Sequence, residues 1–294
     1  MGLNTKIEWT HHTFNIVWGC AKVSEGCENC YAEKWAARCG FEWGPRAARR
    51  TFGDKHWREP LAWNRAAEKA GQRRRVFCSS MADVFEDHPT VSTERAKLFA
   101  LIDATPWLDW MLLTKRPENI EHLTAFGYSD WPRNAWLGFT AENQKRFDER
   151  WPIVEHMGRL FRIPYLFCSA EPLLGPLDIS AVEWNAGGED EPESATLDLI
   201  IVGGESGGNA REFVVDHAYD IRLQCDRYDI SFFMKQLGAR PVTTNVNLLD
   251  WPDETEWLPW GDHAASARPN LYDRKGGDMS EWPEELKIRE MPNE

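Results

Sequence analysis

Short apolar runs recur along the chain, most of them followed by a polar turn and then by a stretch with helical spacing. FNIVW (14–18), RVFCSS (75–80), DWMLLT (109–114), AWLGFT (135–140), PYLFCSA (164–170), LDLIIVGG (197–204) and ISFFMK (230–235) read as seven strands. NCYAEKWAARC reads as a helix, and TERAKLFALIDAT puts Leu98, Leu101 and Ile102 on one helical face. KRPENIEHL follows the third run, ENQKRFDERWPIVEHM is helical with an interruption at Pro152, and VDHAYDIRLQCDRY follows the sixth. Runs apolar on both faces, such as LDLIIVGG, suit parallel strands covered on both sides. The alternation predicts an α/β fold over residues 1–240, a full or partial (β/α) barrel of the TIM type. An open doubly wound sheet is the other solution, since strand order is invisible in the pattern. VEWNAGGEDEPESAT (182–196) reads as an acidic surface insertion. From about residue 241 the rhythm stops, and Trp251, Trp257, Trp260 and Trp282 among prolines and acids predict an irregular Trp-rich cap over 241–294.

Composition narrows the class only a little. Of 294 residues, 42% are hydrophobic and 28% charged, as in ordinary soluble proteins, and no apolar run approaches the roughly 20 residues needed to span a bilayer. The first fifteen residues lack the basic start and apolar core of a secretory signal, so a cytoplasmic address without membrane partners is expected. The formal net charge of −13 is uneven: residues 1–180 carry 24 Lys plus Arg against 23 Asp plus Glu, and residues 181–294 carry 10 against 24. Such acidity disfavours broad phosphate-driven binding of nucleic acid. RAARR (46–50) and RRR (73–75) could form a local basic patch, but solvated arginines are the plainer expectation.

WGCAKVSEGCENCYAEKWAARC places Cys20, Cys27 and Cys30 in a C-x6-C-x2-C arrangement after the first strand, nine residues ahead of Cys39. Thiols stay reduced in the cytosol, where clustered cysteines hold metal more often than they form disulfides. Zinc would need a fourth ligand, from Cys39, His11 or His12, and no second C-x2-C pair completes a zinc ribbon. Three thiolates can instead hold three irons of a [4Fe–4S] cluster, leaving one iron open to a small molecule. Unligated thiols are the third reading.

Together with SSMADVFED, LLTKRPENI, WLGFTAENQ, CSAEPLLGPLD, IIVGGESGGNAR, FFMKQLG and GGDMSEWPEELKIREMP, the cysteine loop resembles a family of phage and bacterial proteins known as a domain of unknown function. That family in turn resembles the radical S-adenosylmethionine (SAM) enzymes. The resemblance implies a partial (β/α) barrel, a [4Fe–4S] cluster on Cys20, Cys27 and Cys30, SAM bound at the open iron, an external electron donor and a substrate the motifs do not name, with nucleic acid or nucleotide as one candidate. The commonest spacing in those enzymes is C-x3-C-x2-C. Here the first interval is three residues longer, and Asn29 stands where an aromatic usually precedes the third cysteine, with Tyr31 after it.

If SAM binds as in those enzymes, the resemblance puts Ser79, Ser80 and Asp83 near its amino group and Glu142 and Asn143 near its ribose. Lys115 and Arg116 could take a carboxylate or phosphate, or merely form surface ion pairs. Glu142 and Asn143 equally suit the first turn of a helix. Glu171, before Pro172, is pushed out of the fifth strand, and Glu205, after Gly203 and Gly204, suits either a pocket or a tight turn. Cys168 reads as a small buried side chain, His11 and His12 as surface histidines, and most of the 16 tryptophans as core and cap packing. The competing reading is a non-enzymatic protein stabilised by zinc or by an iron–sulfur cluster.

Overall fold

The computed structural model describes residues 5–124, 131–182, 195–244, 255–260, 264–269 and 271–292. The strands are β1 (His12–Thr13), β2 (Arg74–Cys78), β3 (Leu108–Thr114), β4 (Ala135–Thr140), β5 (Leu166–Ala170), β6 (Leu199–Gly203), β7 (Phe213–Val214), β8 (Ser231–Gln236), β9 (Pro241–Val242), β10 (Thr255–Trp260) and β11 (Ala264–Pro269). The helices are α1 (Tyr31–Arg38), α2 (Asp54–Ala70), α3 (Pro89–Asp103), α4 (Ile120–Leu123), α5 (Gln144–Phe161) and α6 (Val215–Tyr228). Seven strands order as β1-β2-β3-β4-β5-β6-β8. Neighbours run parallel: Arg74 to Cys78 of β2 match Leu108 to Leu112 of β3, and the Leu137 and Ala141 N–H groups donate to the Tyr165 and Ser169 carbonyls at a constant offset. Strand order that follows chain order is that of a (β/α) barrel, and because β1 does not pair with β8 the barrel is partial.

The chain divides into two units. The first takes in the described residues up to Phe139 together with 150–167 and 195–196, and the second takes in 140–149, 168–182 and those from Leu197 onward. In the first, Phe14, Val76, Trp110, Met111 and Leu137 are fully buried. The Gly138 position lets Phe167 lie across β4, since a Cβ there would stand 2.2 Å from that ring. In the second, Ile200, Ile201, Val202, Met234 and Ile221 form the centre.

Two expectations are corrected, and two features are added. The first strand lies at His12–Thr13 and not at 14–18: β2 ends at Cys78, one residue past the partner of Thr13, so the following backbone has no ladder to join. Phe14, Ile16 and Val17 stay fully buried, and Asn15 turns its carboxamide to the Met81 N–H and the Ser80 hydroxyl. Pro152 does not interrupt α5. Phe147, Trp151, Val154, Met157 and Phe161 are buried at helical spacing. At about 1.5–3 kcal/mol each, their burial outweighs the roughly 3 kcal/mol an interior proline costs. Helix α2, with Gly53 at its start and Gly71 in the left-handed conformation at its end, is absent from the sequence reading. Regular structure also continues past 241: β10 and β11 pair antiparallel, and the stretch after 271 docks on β8. There the Met234 N–H donates to the Ile288 carbonyl, the Glu290 N–H to the Phe232 carbonyl, and Arg289 lies over Phe233 and Trp282. Residues 183–194, which hold most of the acidic insertion, and Trp251 lie outside the described residues. No helix among the described residues is long and apolar enough to cross a membrane.

Candidate functional site at the cysteine loop

In the first unit, the segments after β2 and β3 meet the cysteine loop. The Asp83 carboxylate, 5% exposed, accepts from the Phe85 N–H and the Thr114 hydroxyl on one oxygen and from the Lys115 N–H and the Arg116 guanidinium on the other. Arg116 then reaches the loop: one nitrogen lies 3.5 Å from the Cys20 sulfur, and the other donates to the Ala21 carbonyl at 2.6 Å and lies 3.7 Å from Glu86. Glu86 is held from behind by a bidentate pair with Arg49 at 2.7 and 2.8 Å. Two guanidinium groups and two carboxylates thus form a buried chain ending on a thiol, and each charge has opposite charge and hydrogen bonds around it, which burial demands.

Electrostatics follow from this packing. Burial pushes the Cys20 thiol up to about 12, against the lowering pull of Arg116, while Asp83 and Glu86 raise it further. Burial by itself would lower Arg116, but Asp83, Cys20 and Glu86 hold it above its ordinary value. A bound metal reverses this balance by deprotonating the sulfur outright.

The rest of the loop is tied down by backbone and by one aromatic. Gly19, at φ +123°, donates its N–H to the Met81 carbonyl, and a Cβ there would stand 2.8 Å from Arg49. Cys27 and Cys30 are linked by the Cys30 N–H bond to the Cys27 carbonyl, and Cys30 precedes α1. Tyr31, the next residue, donates its hydroxyl to the Ser80 carbonyl at 2.5 Å, bringing the third cysteine to the segment that follows β2. Cys20, Cys27 and Cys30 are all free and half-buried. Among the described residues no group of three or more His, Cys, Asp or Glu is gathered to hold a metal ion. Ligands of a four-iron cluster sit on different irons and so stand farther apart than ligands of one ion. Three free thiols on one loop, the first beside a buried guanidinium that offsets negative charge, fit such a cluster by the chemistry of their donor set.

The remaining candidates divide by unit. Ser79, 5% exposed, faces the Cys78 sulfur at 3.2 Å, and Ser80 is bonded to Asn15. The Lys115 side chain is half-buried. In the second unit Glu142 is fully buried and its carbonyl accepts from the Leu174 N–H, while the Asn143 side chain accepts from the Arg146 N–H at the start of α5, the capping role. Glu171 pairs with Lys235 at 2.6 Å, and Gly203 leaves room for it, since a Cβ there would meet its carboxylate at 2.9 Å. Glu205 pairs with Arg211. The structure therefore joins Cys20, Asp83 and Arg116 in one cluster and places Glu171 with Lys235 in another.

Some participants escape the sequence reading. Arg49 belongs to RAARR, read as solvated, yet it is 5% exposed and paired with Glu86; a buried partner for one arginine of a run leaves no trace in local pattern. His12, read as a surface residue, is 6% exposed and stacks on Trp63 at 4.6 Å, because β1 occupies its position. Lys235 stands in FFMKQLG, a motif that gave a family signal and no role. Cys168 is buried, as expected.

A family model described as a protein of unknown function (DUF5131) matches residues 4–269. The chain belongs to this family. No curated protein matches it. Solved structures similar to it include a spore photoproduct lyase mutant with bound AdoMet and dinucleoside spore photoproduct, and spore photoproduct lyase complexed with dinucleoside spore photoproduct. Each is 10% identical, with a TM-score of 0.45, over 92% of this chain and 71% of the other.

Proposed function

We propose that this DUF5131 protein is a radical SAM-type enzyme in which Cys20, Cys27 and Cys30 hold a [4Fe–4S] cluster. The observation that supports the reading is the contact between Cys20 and Arg116, which ties a loop of three free thiols to the ends of β2 and β3 through a buried charge network. When bound, the cluster would supply the electron for reductive cleavage of SAM, the substrate being a further molecule of which nucleic acid or nucleotide is one candidate class. Arg116 orients the first cysteine and the Ala21 carbonyl and offsets the charge of a thiolate. Asp83, already accepting four hydrogen bonds, acts as the support of Arg116, which within this unit leaves contacts to SAM to Ser79, Ser80 and Lys115. Tyr31 holds the third cysteine toward Ser80.

Anaerobic reconstitution tests this reading. The expected result is about four irons and four sulfides per chain. Substituting alanine for Cys20, Cys27 or Cys30 abolishes that uptake, and dithionite with SAM yields 5′-deoxyadenosine. One zinc per chain without sulfide would replace this reading by the non-enzymatic one.

A further inference from the structure

Immediately before Cys20 the chain borders a cavity of about 280 Å³, walled by Trp18, Phe41 and Arg50 and floored by the backbone of Gly19 and Gly40. The Arg50 guanidinium lies 4.7 Å from the Trp18 ring centroid and 4.6 Å from that of Phe41, and the two rings meet edge-on at 5.9 Å. An arginine stacked in this way keeps its N–H edge free for an anion. Among the described residues Arg50 has no carboxylate partner, and neither do Lys34, Arg38 and Arg46. Residues 31–58 carry seven Lys plus Arg against three Asp plus Glu, in a chain whose formal net charge is −13.

The apolar groups left in solvent gather at the same place. Of the six exposed large hydrophobic side chains among the described residues, Val23, Tyr31, Trp35 and Phe41 fall within a 19-residue stretch. Tyr31, Trp35 and Arg38 share one face of α1 by their spacing. The Phe41 N–H bonds to the Ala36 carbonyl, so this stripe leads to the cavity. Exposed aromatic rings among unpaired cations offer base stacking and phosphate neutralisation together.

We propose that this surface binds single-stranded nucleic acid, the cavity taking one nucleotide with its base among Trp18 and Phe41 and its phosphate on Arg50. The cavity is slightly below the range of about 300–1,000 Å³ typical of ligand pockets, enough for one base and too small for a duplex. A duplex would also hide the base faces that the rings recognise. Glu42, the acidic group on the cavity wall, repels a phosphate and accepts from a base amino group, which sets the base toward it and the phosphate toward Arg50. The inference deepens the proposed enzymatic reading, on which it rests only for the consequence that a bound strand is presented beside Cys20.

Fluorescence anisotropy of the full chain with a labelled oligonucleotide of about 12 residues tests it. Single strands are expected to bind, more weakly as salt rises, and Arg50→Ala, Phe41→Ala and the surface variant Trp35→Ala each to weaken binding by about 5- to 150-fold. Arg50→Lys should restore the salt dependence without the full affinity. Equal affinity for an abasic strand or a duplex, equal affinity for poly-glutamate, or no binding by the unaltered chain would overturn the proposal. Iron and sulfide uptake measured on the same variants is expected to be unchanged. A chain that takes up four irons and binds no strand therefore sinks this inference alone, and one that binds strands without taking up iron sinks only the enzymatic reading.

Discussion

Arg116 satisfies three kinds of partner at once, a carboxylate at Asp83, a thiol at Cys20 and a carbonyl at Ala21, while 6% exposed. Such a residue is costly to leave unmatched. Asp83→Asn puts an amide where N–H donors and a guanidinium converge, and it is expected to destabilise the chain by about 3–5 kcal/mol. Urea unfolding measures this, and adding Arg116→Met should cost less than the sum of the two single changes, since both act in one network. A loss below about 1 kcal/mol would mean that water reaches the pair. The chemistry of these residues was only half legible in the sequence. Cys20, Cys27 and Cys30 announce themselves by spacing, and Asp83 and Arg116 by following apolar runs, but the Arg49–Glu86 pair spans 37 positions and depends on tertiary folding alone.

Elements were legible where burial is periodic. β3 and β4 lie within a residue of the runs that predict them, because both faces are covered and every position from Ala135 to Thr140 is buried. Helix α2 was missed since Pro60 sits within it and only Trp63, Asn64 and Ala67 follow it into the interior. Pro152 misled in the same sense. It is exposed in α5 and holds no N–H for the ladder, so Pro152→Ala is expected to raise stability by about 1 kcal/mol or more, seen as a higher urea midpoint at unchanged slope. Helix α6 carries a pH response. Burial lowers His217 below its ordinary 6.5, while Asp216 and Asp220 pull the other way. A base lowered on folding stabilises the chain fully above 6.5 and loses that contribution as pH falls below it, because the unfolded chain takes up the proton first. Thermal unfolding between pH 5 and 7.5 should fall off toward acid, and His217→Gln should flatten the fall.

For the whole molecule, the α/β class was within reach of the sequence, since seven apolar runs alternate with helical stretches. Strand order itself became visible only in the pairing. The stretch after 271 was hardest to read, because its contacts come from single groups: the Gly276 carbonyl accepts from the Leu237 N–H and the Trp282 indole, and the Glu281 carboxylate accepts from the Tyr272 and Asp273 N–H groups. Residues 288–290 lie along the side of β8 that no other strand of its sheet occupies. Stripping them away uncovers a row of peptide groups shaped to recruit the same row on another molecule. A chain shortened after Leu286 should therefore self-associate with rising concentration in size-exclusion chromatography.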